Sequence, residues 1–445
     1  MTKDEYLITD PPLKALTVFA MPMILGSFFQ QVYNMADSII VGQFVGSSAL
    51  AAVGACAALT NVFICIALGA GVGAGVLVSR YFGAQDYGKM KTIVSTSLIS
   101  FLLLSVFLGV FGFCTSHWMM SILQTPADIM KDAVLYLRIY FVGFPFLFMY
   151  NVLSSMFNAL GKSRIPLYFL IFSSVFNIVL DWVFVADFAL DVAGVAWATL
   201  IAQGVSVLGS FTVLRKELKK LEGASDGIFE AEELLPMAKI ALPSILQQST
   251  VSIGMMLVQS VVNSFGAESL AGFSAGMRIE SICVVPMAAV GNAISSYTAQ
   301  NIGAGQLKRV SKGYVQANKM VIFFGVVICV ILELFPRQFI TLFLGADGSQ
   351  VAIATGYGYL VFMGFFFFMI GFKMAADGVL RGAGDMKLFT IANLVNLSIR
   401  VIMAMTLAPR FGIAWVWYAV PIGWTANFVI SYLEYRTGKW KTIRR

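Results

Sequence analysis

The chain has 445 residues, 59% of them hydrophobic and only 12% charged, with a mean hydropathy of +0.83. Soluble domains carry about twice that share of charge, and a water-soluble core could not hide so much apolar surface, so the composition implies a polytopic membrane protein. The net charge of +7 does not point to nucleic acid, because the basic residues fall in short gaps between apolar runs and read as topology signals.

The chain opens with MTKDEYLITDPP, polar and mixed in charge. It lacks the basic region, short apolar region and small-residue cleavage site of a secretory leader, so no cleaved signal is expected. Crossing about 30 Å of hydrocarbon takes roughly 20 helical residues. Twelve runs are long enough, at about 14–44, 48–78, 91–115, 131–159, 165–186, 192–215, 237–264, 269–299, 313–335, 351–379, 388–408 and 412–434. Several exceed one crossing, which implies tilt or bending.

The gaps alternate in charge. One set holds Lys3 and Lys14; Arg80, Lys89 and Lys91; Lys162 and Arg164; Arg215, Lys216, Lys219 and Lys220; Lys308, Arg309 and Lys312; Arg381 and Lys387; and the basic C-terminus. The other holds little beyond Lys131, Arg337 and Arg410. The positive-inside rule puts both termini in the cytoplasm, and a multi-pass protein of the plasma (inner) membrane is expected. The charged stretch at 215–236 reads as a partly helical cytoplasmic linker between two six-helix lobes, 1–214 and 237–445.

The halves resemble each other. VGSSALAAVG at 45–54 matches FGAESLAGFS at 265–274, SRYFGAQ at 79–85 matches AQNIGAG at 299–305, and NALGKS at 158–163 lies against RGAGDM at 381–386. AMPMIL at 20–25 answers ALPSIL at 241–246, and GVAWA at 194–198 answers GIAWV at 412–416. Five matches at offsets of 218 to 223 indicate a duplication. Six spans per half make it a parallel repeat, its lobes related by a pseudo-two-fold axis along the membrane normal. Pro22 and Pro243 occupy equivalent places in spans one and seven. Each removes a helix hydrogen bond and permits a bend, so both are candidate hinges.

Two apolar spans carry carboxylates, VYNMADSIIVGQFVG at 32–46 with Asn34 and Asp37, and NIVLDWVFV at 177–185 with Asn177 and Asp181. A carboxylate at the bilayer centre costs roughly 2.5–3.5 kcal/mol, and no basic residue lies in spans one to six away from their ends. Either a proton, favoured because burial disfavours the charged form, or a bound cation would relieve that cost. Asn177 and Asp181, four apart, share a helix face. Thr199, Asn34 and Asn158 could add oxygen ligands suited to H+ or Na+. The bland alternative is a neutral hydrogen-bonded pair that only joins helices. The repeat partners of Asp37 and Asp181 are Leu257 and Ala404, so coupling is expected in the first lobe alone. In the second half, Arg278 with Glu280 and Lys373 with Asp377 read either as locally neutralised pairs or as substrate or gate residues. Arg400, opposite Asn177 in the repeat, is expected to serve packing or an internal ion pair. Span seven holds Gln247, Gln248 and Gln259 and no acid.

Other motifs carry less. GAGVGAG at 69–75 follows no strand and lacks a Lys-Ser/Thr end, so it is not a phosphate loop; its small residues let helices approach. FFFF at 365–368 and the 22 methionines read mainly as lipid-facing or core, a minority offering a plastic apolar wall. The five cysteines (Cys56, Cys65, Cys114, Cys283, Cys329) show no CxxC spacing, and the lone His117 sits in a polar gap, so neither a disulfide framework nor a resident metal centre is expected.

NIVLD at 177–181, RIES at 278–281, NIGAG at 301–305 and LRGAGD at 380–385, with the Asp37 helix, together resemble the multidrug and toxic compound extrusion (MATE) transporters. The resemblance implies twelve helices in two lobes and export driven by proton or sodium entry. It also implies that Asp37, Asn177, Asp181 and Thr199 line a cation pocket. The resulting expectation is an antiporter, not an enzyme, that exports amphipathic organic compounds, cationic ones above all, in exchange for H+ or Na+. A flippase of a lipid-like substrate is the alternative. No cofactor is expected; the partners are a drug-like small molecule and membrane lipid, and the protein is expected to be a monomer.

Overall fold

The structure is a computed structural model that describes residues 5–40, 47–184, 188, 191–345 and 349–442, the side chains of 36–40, 47–50 and 191 excepted. Among these residues it is all α. A four-residue turn α1 (Tyr6–Thr9) leads into α2 (Pro12–Ile40), α3 (Ser47–Gly83), α4 (Tyr87–Ile122), α5 (Ala127–Ala159), α6 (Arg164–Trp182) and α7 (Asp191–Lys219). The second half comprises α8 (Leu234–Asn263), α9 (Ala267–Gly303), α10 (Leu307–Leu334), α11 (Pro336–Leu344), α12 (Gln350–Gly364), α13 (Phe367–Ala383), α14 (Met386–Phe411) and α15 (Ala414–Thr437).

Among the described residues ten helices are long and apolar enough to cross a membrane, and α12 with α13 supplies an eleventh crossing. α15 takes the place of the twelfth expected run; its buried Asn427, Ser431 and Glu434 lower its hydropathy. Apolar side chains such as Leu103 (66%) and Phe107 (67%) are exposed on α4, as a surface facing hydrocarbon requires. The protein is thus a multi-pass, twelve-helix membrane protein.

Three features depart from the sequence reading. The run at 351–379 is not one straight helix: α12 and α13 are bent by 53°, with Phe365 and Phe366 of the FFFF stretch at the break. There the ladder tightens to three-residue bonds, Phe366 N–H to Met363 O and Met369 N–H to Phe366 O, both 2.9 Å. The gap before this run holds α11, begun by Pro336, whose fixed φ suits a first helical turn. His117 is also not in a gap but inside α4, exposed. Arg138, well inside α5, corrects the expectation that basic residues keep to helix ends; it lies over the Phe113 ring, 5.5 Å from its centroid.

The duplication is visible in four helix-ending turns. Gln85, Gly161, Gly305 and Gly384 have φ of 58°, 75°, 72° and 78°. In each turn the next residue's N–H reaches back to close the helix: Asp86 to Tyr81 O, Lys162 to Phe157 O, Gln306 to Asn301 O and Asp385 to Leu380 O. This is the left-handed cap that satisfies the last carbonyls of a helix, and it recurs at the motif pairs that betray the repeat.

Packing groups the chain into two compact units, Met1–Ile24 with Leu246–Arg445, and Leu25–Ile245. Both division points fall two residues past a helix proline, Pro22 in α2 and Pro243 in α8. In the first unit the chain's opening docks on the second half: Asn301 Nδ2 donates to Leu7 O at 3.1 Å, and Arg309 donates to Leu7 O and Asp10 O. Its core joins Leu7, Leu16 and Phe19 to Tyr297, Tyr359 and Phe367. The other unit has an aromatic core in which Phe63 meets Phe141 and Phe144 edge-on at 4.8 and 5.4 Å. The GAGVGAG glycines serve helix contact there: a Cβ on Gly73 would stand 2.7 Å from that of Ala241, and one on Gly71 2.6 Å from Ser155 Oγ.

The charged stretch at 215–236 is part helical, through the end of α7 and a short 3-10 turn at Ala231–Glu233. Lys91 Nζ donates to Leu221 O (2.8 Å) and Gly223 O (2.6 Å), and Thr92 Oγ1 accepts from Gly227 N–H at 3.0 Å. Glu230 N–H donates to Thr96 Oγ1 at 2.9 Å, and Lys89 pairs with Glu233 at 3.1 Å. The segment is strapped to the start of α4 in its own unit.

Candidate functional site

In the Leu25–Ile245 unit, α2, α5, α6 and α7 enclose a cavity of about 60 Å³ lined by Gln30, Tyr33, Tyr150, Ser174, Asn177, Thr199 and Gln203, among others. A single turn of α6 supplies both Asn177 (2% exposed) and Asp181 (0%). Asn177 turns its amide nitrogen to Asp181 Oδ2 at 3.1 Å and accepts the Thr199 backbone N–H at 3.0 Å through its oxygen. That orientation satisfies both ends of the amide, and the same nitrogen meets the Tyr33 hydroxyl. Thr199 Oγ1 donates to Val195 O at 3.1 Å, which fixes its rotamer at the wall.

The structure therefore brings Asn177, Asp181 and Thr199 together. Asp37 lies one turn past Tyr33 on α2, and its side chain is outside the described residues. Asn34 is exposed and accepts from Gln30 Nε2 at 3.0 Å. Asn158 ends α5 at the Gly161 turn and does not line this cavity. Gln30, Tyr33, Tyr150, Ser173, Ser174 and Gln203 are polar wall residues that the sequence reading passed over. Tyr33 had one signal, its position four residues before Asp37. The donor set is all oxygen and nitrogen, hard groups of the kind that hold protons or alkali and alkaline-earth cations. The space is enough for about two waters at ~30 Å³ each.

The Met1–Ile24/Leu246–Arg445 unit holds two further polar centres. In one, Lys373 Nζ pairs with Asp377 Oδ2 at 3.2 Å and donates to Asn393 Oδ1 at 3.0 Å. Ser431 Oγ donates to Asp377 Oδ1 at 2.7 Å, and Gln247 Nε2 reaches Asp377 Oδ2 at 3.4 Å. Both charges are buried, and the pair is neutralised locally.

The other centre corrects the expectation that Arg278 and Glu280 form a pair. Residues two apart on a helix do not face each other. Glu280 is buried and accepts the Tyr359 hydroxyl, whereas Arg278 lines a cavity of about 290 Å³ with Arg400, Gln259, Phe273 and Met277. Arg400 makes no direct ion pair among the described residues, although Glu280 stands near enough to act on its charge, and its Nε has no hydrogen-bond partner there.

The MatE family model matches residues 22–183 and 243–406, each block starting at one of the two helix prolines. The chain is 31% identical over 434 residues to "Probable multidrug resistance protein YpnP" of Bacillus subtilis, covering 97% of this chain and 96% of that protein. It is 24% identical over 441 residues to "Multidrug export protein MepA" of Staphylococcus haemolyticus, covering 97% and 96%. A solved structure described as "Crystal structure of MATE in complex with MaL6" matches with a TM-score of 0.91 at 25% identity, over 100% of this chain and 99% of that one.

Proposed function

Because the chain belongs to the MatE family, we propose that it is a secondary active antiporter that exports amphipathic organic compounds, cationic ones foremost, in exchange for H+ or Na+. The multidrug resistance and export descriptions of its relatives support the substrate class. The observation that carries the coupling is the fully buried Asp181, joined to Asn177 beside a small polar cavity. A carboxylate inside the bilayer is kept at a cost of roughly 2.5–3.5 kcal/mol unless its charge is offset. A proton on Asp181, or a cation held by Asp181, Asn177, Thr199 and the Asp37 turn of α2, offsets it in one half of the cycle. Loss of that cation restores the cost in the other half.

One charge entering through 100 mV supplies about 2.3 kcal/mol, enough for a roughly 50-fold substrate gradient. The helix prolines Pro22 and Pro243 are the hinges in this reading, each two residues before its helix changes packing unit. The protein works in the plasma (inner) membrane as a monomer with both termini cytoplasmic, without a cofactor.

Efflux of a fluorescent cation from proteoliposomes, under a pH gradient or a Na+ gradient imposed separately, tests the reading and names the ion. Wild-type protein should respond to one gradient, and D181N to neither. Efflux by D181N equal to wild type under the same gradient would remove the coupling role of Asp181.

A further inference from the structure

The cavity of about 290 Å³ in the Met1–Ile24/Leu246–Arg445 unit is the repeat counterpart of the Asn177 cavity. Its walls come from α8, α9, α12, α14 and α15, and α8, α12, α14 and α15 stand in the second half where α2, α5, α6 and α7 stand in the first. At the centre of that correspondence the chemistry is inverted. Position 177 is an amide bonded to a buried acid, and its partner at an offset of 223 is Arg400.

Two guanidiniums face this space. Arg400 is half-buried on α14, and its Nε lacks a hydrogen-bond partner among the described residues; Arg278 is exposed on α9. One acid, Glu280, stands close enough to Arg400 to offset part of its charge without a direct ion pair, and it accepts the Tyr359 hydroxyl, so a single carboxylate faces two guanidiniums. The placement of Arg400 is built in: a Cβ on Gly423 of α15 would stand 3.0 Å from Arg400 Cγ, so the glycine makes room for its stem. Withdrawing a guanidinium from water without partners is costly, and forked N–H donors match carboxylate and phosphate oxygens. The remaining wall is apolar and adaptable, with Phe273, Met277, Val416 and Val420.

We propose that this cavity is an anion subsite, in which Arg400 and Arg278 take the carboxylate or phosphate end of an amphiphile and the apolar wall takes its body. The subsite stands apart from cation coupling: it uses neither Asp181 nor its neighbours.

The test is a fluorescence titration of the full-length protein in a non-ionic detergent with a dansylated long-chain carboxylic acid, beside its uncharged methyl ester. The acid should bind at least tenfold more tightly than the ester. R400Q and R278Q should each cut acid binding at least fivefold and leave the ester unchanged. E280Q, which removes the one acid bonded to the cavity wall at Tyr359, should strengthen acid binding. D181N should leave acid binding unchanged, so a failed coupling reading and a failed anion subsite give different patterns. Equal binding of acid and ester, or R278Q and E280Q both matching wild type, overturns the proposal even if R400Q does not fold. Repeating the titration in nanodiscs of phosphatidylcholine with or without phosphatidylglycerol identifies the occupant. Displacement of the acid by phosphatidylglycerol assigns the subsite to a lipid headgroup, and retained binding assigns it to a dissolved organic anion.

Discussion

Lys373 and Asp377 stand one helical turn apart on α13 with 3.2 Å between ammonium and carboxylate, both at least nine-tenths buried. Asn393 spans the pair, accepting from Lys373 at 3.0 Å and donating to Asp377 at 3.3 Å. The second half thus carries a cation fixed beside its own buried acid. Breaking such a buried pair leaves an uncompensated charge, which costs about 3–5 kcal/mol, whereas replacing both partners with apolar groups is often neutral. K373M and D377N are each expected to lower the thermal stability of the detergent-purified protein by that order, and K373M/D377L to recover more than half of the loss. Additive losses in the double variant would show that the two charges do not act as a unit.

At the first-half cavity, D181N and D37N are expected to abolish drug resistance in cells while membrane expression stays at the wild-type level. Tyr33 meets Asn177 from α2, so Y33F removes one hydrogen bond, worth about 1 kcal/mol. It should weaken apparent affinity for the coupling ion about fivefold with maximal rate largely kept. Ion-concentration dependence of dye efflux separates these effects; a fall in maximal rate alone would place Tyr33 outside the ion's shell.

Gln85 is the odd member of the four left-handed caps, since Gly161, Gly305 and Gly384 fill the same place in the other three. A non-glycine residue there carries strain of about 1 kcal/mol or more. Q85G is expected to stabilise the protein by up to about 1 kcal/mol in thermal unfolding, and a destabilised variant would contradict this.

Asp385, in the turn between α13 and α14, is buried with Oδ2 lacking a hydrogen-bond partner among the described residues. Burial first, and then the charge of Glu434, push its carboxyl up from the ordinary value, with Lys439 pulling the other way. A raised acid contributes stability that is fully present below its unfolded value and lost as pH rises through the folded one. D385N should therefore raise the melting temperature at pH 8 and give a smaller gain at pH 5. A gain independent of pH would point to packing.

Much of this architecture is legible in the residues because membrane insertion leaves few ways to satisfy a backbone. Run length predicts the helices, and the SRYFGAQ and NALGKS motifs, which mark the duplication in the sequence, fall at the shared left-handed turns. The misses have equally physical sources. An apolar run does not show its own break, so the bend at Phe365–Phe366 was invisible in composition. Charge proximity in sequence misled for Arg278 and Glu280, since a spacing of two turns side chains apart. Tyr33 was hidden because an aromatic in an apolar helix reads as lipid-facing until its hydroxyl is seen against Asn177. Asn158 showed the reverse error, an amide grouped with the acids by type that stands elsewhere.

The grouping of residues 1–24 with 246–445 bears on any attempt to split the gene. A polypeptide starting at 237 would lack Leu7, Leu16 and Phe19, three side chains sealed inside its own core at 0%, 1% and 0% exposure. Its partner fragment would carry that plug as a loose end with no socket. Co-expressed halves should therefore survive proteolysis only as a pair, because neither contains a finished interior.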